Sequence, residues 1–170
     1  HRKKSLFFML SCLLMLVLMP TISAQSGGDF SPAPCPIEVA ENVDCGYLTV
    51  PEDRSDPNSS DIRLAVALVR ATGNPLPDPI VYLEGGPGGS ALTGIDAWYD
   101  TDYGQDRDII LIDQRGTGYS EPGLFCPEGT DSDAELAADC RADLEAQGID
   151  LGAYTSAANA ADIEDLRLAL

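Results

Sequence analysis

Two short apolar runs, each ending abruptly in glycine, constrain this chain more than anything else in it. Ile80-Val81-Tyr82-Leu83 leads into Glu84-Gly85-Gly86-Pro87-Gly88-Gly89-Ser90, and Ile109-Ile110-Leu111-Ile112 into Asp113-Gln114-Arg115-Gly116-Thr117-Gly118-Tyr119-Ser120. Brief, β-branched-rich runs bounded by turn residues read as strands buried in a parallel sheet. Where such a strand stops in glycine, it delivers a backbone loop to the sheet edge. The runs start about 30 residues apart, and residues 91–99 between them fit a short helix or loop, which together make a βαβ unit. The expected class is α/β.

The flanking sequence extends this plan. Gly46 to Val50 reads as a strand closed by Pro51, and Glu52 to Asp61 as a turn. Ile62 to Ala71 alternates apolar residues on a period of two, so the pair predicts an antiparallel hairpin at a sheet edge. Thr72 to Pro79 is a Pro-rich turn, and Leu124 to Gly129 a loop. Ala134 to Gln147 has helical spacing (Leu136, Cys140, Leu144) and stops at Gly148. Thr155 or Ser156 caps a last helix, with Ile163, Leu166 and Leu170 on its inner face and Asp162, Glu164 and Asp165 outward. That helix stays amphipathic to Leu170 with no strand after it to pack beside. The pattern predicts the front part of a larger fold.

The amino end carries an address. Arg2, Lys3 and Lys4 precede the apolar stretch Leu6 to Met19, and Pro20 to Ala24 offers small residues for cleavage, the three-part pattern of a secretory signal. The run is short of the roughly 20 residues that span a bilayer. Residues 1–24 are therefore set aside as a signal peptide, with no membrane attachment expected after cleavage. Residues 25–44 follow as a flexible lead-in and first disulfide loop, and residues 45–170 form the fold proper. The expected location is secreted or periplasmic.

Four cysteines remain after processing: Cys35, Cys45, Cys126 and Cys140. An even count in an exported chain predicts two disulfides. Of three possible pairings, Cys35–Cys45 and Cys126–Cys140 are expected, because each pins an otherwise loose loop. Zinc is disfavoured, since no C-x-x-C spacing occurs and the one histidine is His1. The processed chain has seven arginines, no lysine and 28 acids, a net charge of −21. So acidic a surface excludes nucleic acid as a partner, because phosphate binding requires a basic face. It can favour cationic substrates.

Glycines in residues 84–90 let the main chain take positive φ and let a substrate approach it closely, while Pro87 stiffens the loop. Fixed N–H groups at the end of a parallel strand are what an oxyanion hole requires. A phosphate loop is the competing function, but neither G-K-[ST] nor a fitting G-x-G-x-x-G is present. A tight strand-to-helix turn with no chemistry is the plainest reading of the glycines alone.

The two motifs together, Gly-Gly-Pro-Gly and then Asp-Gln-Arg-Gly-x-Gly-x-Ser, resemble the α/β-hydrolase fold. Within it they are similar to the secreted serine exopeptidases of the proline iminopeptidase and tripeptidyl aminopeptidase group. Cys45 to Asp53 resembles that group's opening strand, and Tyr154 to Leu170 the helix before its nucleophile, so the likeness extends over most of the processed chain. The resemblance implies an N-terminal portion of the fold, with an antiparallel edge hairpin and then parallel strands with crossover helices, ending before the nucleophile elbow. It implies a peptide substrate and acyl-enzyme chemistry, with no metal or organic cofactor.

Residue by residue, Gly85 and Gly86 match the positions whose backbone N–H groups hold the oxyanion. Asp113, Gln114 and Arg115 match a loop that supports the site, with Arg115 expected in an ion pair. Where the group often has His this chain has Glu84, whose carboxylate either meets a substrate's free α-amino group or caps the loop amides. Ser120 is not a nucleophile candidate, because no base accompanies it. No G-x-S-x-G occurs, so Ser, Asp and His of a triad are expected outside these 170 residues. An esterase or another hydrolase of the same fold remains open, as does a non-catalytic exported binding domain, since a fold does not fix a reaction.

Overall fold

The computed structural model describes residues 28–99, 101–126 and 134–170, so the expected signal segment, residues 1–24, lies outside the described residues. Five strands form one mixed sheet: β1 (Asp29–Pro32), β2 (Val43–Pro51), β3 (Asp61–Val69), β4 (Ile80–Leu83) and β5 (Ile109–Ile112). Their spatial order is β1-β2-β3-β5-β4. The first three run antiparallel in series, β3 also pairs antiparallel with β5, and β4 pairs parallel with β5. The chain is α/β. A 3₁₀ helix over Leu92–Trp98 and a four-residue helix α1 (Tyr103–Asp106) connect β4 to β5. Helices α2 (Ala134–Ala146) and α3 (Ser156–Ala169) follow.

The period of two in β3 divides the core in two. Ala65, Ala67 and Val69 face one side of the sheet, where they meet Leu92 and Ile95 of the 3₁₀ helix and Ile109 and Leu111 of β5. Ile62, Leu64, Val66 and Leu68 face the other, against Ile110, Ile112 and Leu166 of α3. Apolar area leaves water on both faces, which stabilises the sheet between its helical layers. Both faces of β3 and β5 thus need apolar residues, and β5 is buried along its whole length.

Three expectations are corrected. The hairpin β2–β3 is not at the edge, because β1 pairs outside β2 from Asp29 opposite Thr49 to Pro32 opposite Gly46. A Cβ on Gly46 would collide with the Phe30 ring and the Ser31 carbonyl, so the missing side chain is what lets β1 close in. The lead-in is therefore partly strand. Second, β4 is only half buried: it is the last strand in the sheet order, and Val81 and Leu83 are 41% and 44% exposed. Third, Leu170 is exposed rather than inward, while Asp162, expected outward, is buried.

Other expectations hold. Cys35–Cys45 and Cys126–Cys140 are both disulfide-bonded. Thr155 caps α3, its hydroxyl accepting from the Ala158 N–H at 3.2 Å. Gly148 just beyond α2 takes φ +86°, the left-handed conformation that ends a helix at little cost in glycine. Among the described residues, no helix is long and apolar enough to cross a membrane.

Candidate active site

Parallel register brings the two glycine loops together. Ile80 lies opposite Ile109 and Leu83 opposite Ile112, so both chains leave the sheet at the same edge, at Glu84 and Asp113. The Asp113 carboxylate is fully buried and accepts three hydrogen bonds. Leu92 N–H donates to Oδ1 at 3.1 Å, while Ser90 Oγ and Tyr119 N–H donate to Oδ2 at 3.0 and 2.8 Å. One carboxylate thereby ties the end of the first loop, the start of the 3₁₀ helix and the second loop. Gly118 has φ +52°, and a Cβ there would strike Asp113 Oδ2, so glycine is required where the second loop folds over its own aspartate. Ser120 is consumed structurally. Its hydroxyl donates to the Asp113 carbonyl at 2.6 Å and accepts from Ala65 N–H at 3.0 Å.

The neighbouring residue reaches across the sheet edge. Gln114 Nε2 donates to the Glu84 carbonyl at 2.8 Å, joining the two loops where they leave their strands. Beyond Glu84 the first loop turns through Gly86 at φ +128° and Gly88 at φ +90°, and Gly89 N–H donates to the Gly85 carbonyl at 3.1 Å. Residues 85–88 are exposed. Among the described residues, Gly86 N–H meets no acceptor, whereas Gly85 N–H donates to Glu84 Oε1 at 3.0 Å. Tyr82 Oη donates to Glu84 Oε2 at 2.7 Å. The Tyr82 hydroxyl first, and then the Gly85 N–H, hold the Glu84 carboxyl below its ordinary pKa, and the same contact raises that of Tyr82.

Arg115 turns away from this edge. Its buried guanidinium makes a forked pair with Asp162 of α3, Nε to Oδ2 and Nη2 to Oδ1, each at 2.8 Å. Nη1 donates to the Glu52 and Ala153 carbonyls at 2.7 and 2.9 Å. Asp162 also accepts from Arg54 at 2.6 Å, so its burial is explained by two cations. Beside them Tyr154 Oη donates to the buried Glu52 Oε1 at 2.8 Å. Burial, and then that bond, push the Tyr154 phenol above its usual pKa.

This second cluster fastens α3 to the loop after β2. Glu52 and Asp162 had no signal in the sequence beyond being acidic, since their partners are remote in the chain. Ser90 and Tyr82 were legible only as parts of their motifs. Among the described residues no group of three or more His, Cys, Asp or Glu side chains gathers as metal ligands would.

No family model matches the chain. A tripeptidyl aminopeptidase of Streptomyces lividans is 34% identical over 109 residues, 59% of this chain and 20% of that protein. A probable proline iminopeptidase of Streptomyces coelicolor is 40% identical over 80 residues, 47% of this chain and 24% of the relative. Carboxylesterase B of Mycobacterium tuberculosis is 35% identical over 94 residues, 53% and 18% respectively. These relatives are hydrolases. The mixed five-stranded sheet with its helices agrees with the likeness to such α/β-hydrolase proteins. The chain spans between 18% and 24% of the length of these curated relatives, whose names divide between peptidase and esterase.

Proposed function

We propose that this chain supplies the oxyanion-binding edge of a secreted serine aminopeptidase, which releases residues from peptide N-termini through an acyl-enzyme. The supporting observation is a glycine loop at the end of a parallel strand whose Gly86 N–H faces no acceptor among the described residues, and which a buried carboxylate holds in place. In acyl transfer a hydroxyl oxygen attacks the carbonyl carbon as a histidine base takes its proton, and the carbonyl's π pair moves onto its oxygen. The Gly86 N–H meets that negative charge, with the Gly85 N–H as a second donor once its bond to the Glu84 carboxylate is released; a donor aimed in advance, as that of Gly86 is, needs no reorganisation as the charge develops. Collapse of the intermediate expels the amine, which takes a proton from the base.

The nucleophile, its histidine base and the orienting acid come from residues of the whole protein other than these 170. The chain has no G-x-S-x-G, and its one histidine is His1. Secretion rests on the signal pattern of residues 1–24 and on the two disulfides, bonds that persist in oxidising compartments. Cleavage of an ester is a second reading, favoured by the likeness to carboxylesterase B.

Assay of the complete protein on aminoacyl 4-nitroanilides and on 4-nitrophenyl butyrate separates the two. Release from the anilides is expected, and butyrate turnover without it would make the protein an esterase. Gly86→Ala places a side chain at φ +128°, which L residues rarely adopt, and so re-aims the N–H. A fall in kcat of about 10²-fold at little change in KM is expected, as when one oxyanion donor is lost. The 170-residue chain alone is expected to turn over neither substrate.

A further inference from the structure

The peptide group between Glu84 and Gly85 is held at both ends. The Glu84 carbonyl is fixed by Gln114 Nε2 at 2.8 Å, while the Glu84 carboxylate takes the next N–H, that of Gly85, at 3.0 Å. A hydrogen engaged with a carboxylate is not available to a developing oxyanion, so the free protein presents Gly86 and withholds Gly85. The carboxylate itself is under-partnered. Every arginine of the described residues pairs with some other acid, Arg54 and Arg115 with Asp162, Arg63 with Glu121, Arg70 with Asp44 and Asp108, and the rest likewise. No lysine lies among those residues. Glu84 thus stands half-exposed at the mouth of the loop, balanced by two neutral donors and no cation.

We propose that Glu84 determines specificity: its carboxylate closes the Gly85 donor in the free protein, and the α-ammonium group of a substrate draws it off and opens the donor. This rests on the reading of the loop as an oxyanion site. An ammonium offers the carboxylate a hydrogen bond charged on both sides, stronger than those from an amide and a phenol. The acidic surface raises the local concentration of such cations. When the carboxylate leaves, Gly85 N–H does not swing away. In a trans peptide the carbonyl and the N–H point in opposite directions, so Gln114 holds the N–H in place by holding the Glu84 oxygen.

The reach also selects a length. Glu84 is adjacent to Gly85, so the ammonium that meets it belongs to the residue whose own carbonyl is attacked. That matches release of a single residue. A substrate with an acylated amine brings no cation and finds the Gly85 donor occupied.

The test uses the complete enzyme, wild type, Glu84→Ala and Glu84→Gln, on alanyl, N-acetyl-alanyl and tripeptidyl 4-nitroanilides. Wild type is expected to prefer the alanyl compound. Glu84→Ala uncovers Gly85 and is expected to raise kcat/KM on the acetylated compound about tenfold while lowering it on the alanyl one. Glu84→Gln, which still offers Gly85 an acceptor oxygen but no charge, is expected to lose the alanyl preference without the acetyl gain. Both substrates slowed by one common factor, an unmoved ratio, or a wild-type preference for the tripeptidyl compound overturns the inference. Any of these leaves the hydrolase reading standing, whereas wild type inert on every anilide and ester removes that reading and this inference with it.

Discussion

The loop after β5 is half-buried and the side chains of Asp113, Gln114, Arg115, Thr117 and Ser120 are all hydrogen-bonded, whereas residues 85–88 of the loop after β4, one strand away, are exposed and leave the Gly86 N–H without an acceptor among the described residues. Asp113 accepts three hydrogen bonds through its carboxylate and a fourth through its carbonyl, and Gln114 and Arg115 spend their side chains on carbonyls and on Asp162. The glycine loop makes one internal backbone bond, from Gly89 to Gly85, and otherwise depends on its neighbour for support. The difference shows how a flexible sequence becomes a fixed surface. Glycines supply the close approach, and the adjacent loop supplies the rigidity that glycines lack.

The comparison breaks most readily at Asp113. Asp113→Ala strands the buried Leu92 N–H, an unsatisfied buried donor that costs about 1–3 kcal/mol, and takes the acceptor from the half-buried Ser90 hydroxyl and Tyr119 N–H and the support from the loop folded over it. With partial relaxation, a loss of about 3–5 kcal/mol in urea denaturation is expected. A loss under about 1 kcal/mol would mean that the second loop does not hold the first.

Arg115 sharpens the contrast from the other side of the same loop. Arg115→Met leaves Asp162 buried with Arg54 as its one remaining cation, and removing one partner of a buried pair costs about 3–5 kcal/mol. Part of that is expected to return in the double variant Arg115→Met, Asp162→Leu, because an apolar pair leaves no uncompensated charge. Arg115→Lys keeps the charge but loses the fork, and is expected to fall between wild type and Met by the same measurement. If the double variant were less stable than either single one, the pair would be a net source of stability rather than an anchor.

What the sequence disclosed follows from how far each feature reaches. β4 and β5 were visible because four apolar residues between turn residues have few other uses, and the β2–β3 hairpin because β3 alternates. β1 was hidden: Asp29–Pro32 carries one large apolar residue, and it is a strand because Gly46 of β2 leaves room for Phe30. Asp162 was misread because an acid on a helix is usually solvated, and its partner Arg115 lies 47 residues away. Burial of Glu52 depends likewise on Tyr154, distant by 102 residues. At the candidate site the residue types were readable, and so was the capping geometry open to Glu84. The Gln114 bond was not, since it exists only once the parallel register sets Leu83 beside Ile112.

The smallest expected effect lies in the exposed loop itself. Tyr82 Oη is the larger of the two influences that hold the Glu84 carboxyl below the ordinary glutamate range, with Gly85 N–H second. A carboxyl whose pKa is lower folded than unfolded stabilises the fold above its unfolded value, and that contribution is lost as pH falls through the folded one. Tyr82→Phe removes the phenolic donor while the ring keeps its place against Trp98, centroids 4.6 Å apart. The Glu84 pKa, read from its side-chain carboxyl carbon by NMR, is expected to rise toward the ordinary glutamate value, and the acid limb of the stability curve to shift upward in pH. Because the half-exposed Glu84 carboxylate is well screened by water, overall stability at neutral pH should scarcely change. If the Glu84 pKa did not move, the carboxylate would not be resting on Tyr82 in solution. The Gly85 N–H would then be the carboxylate's one fixed partner, and the contrast of the first loop with the loop after β5 sharper still.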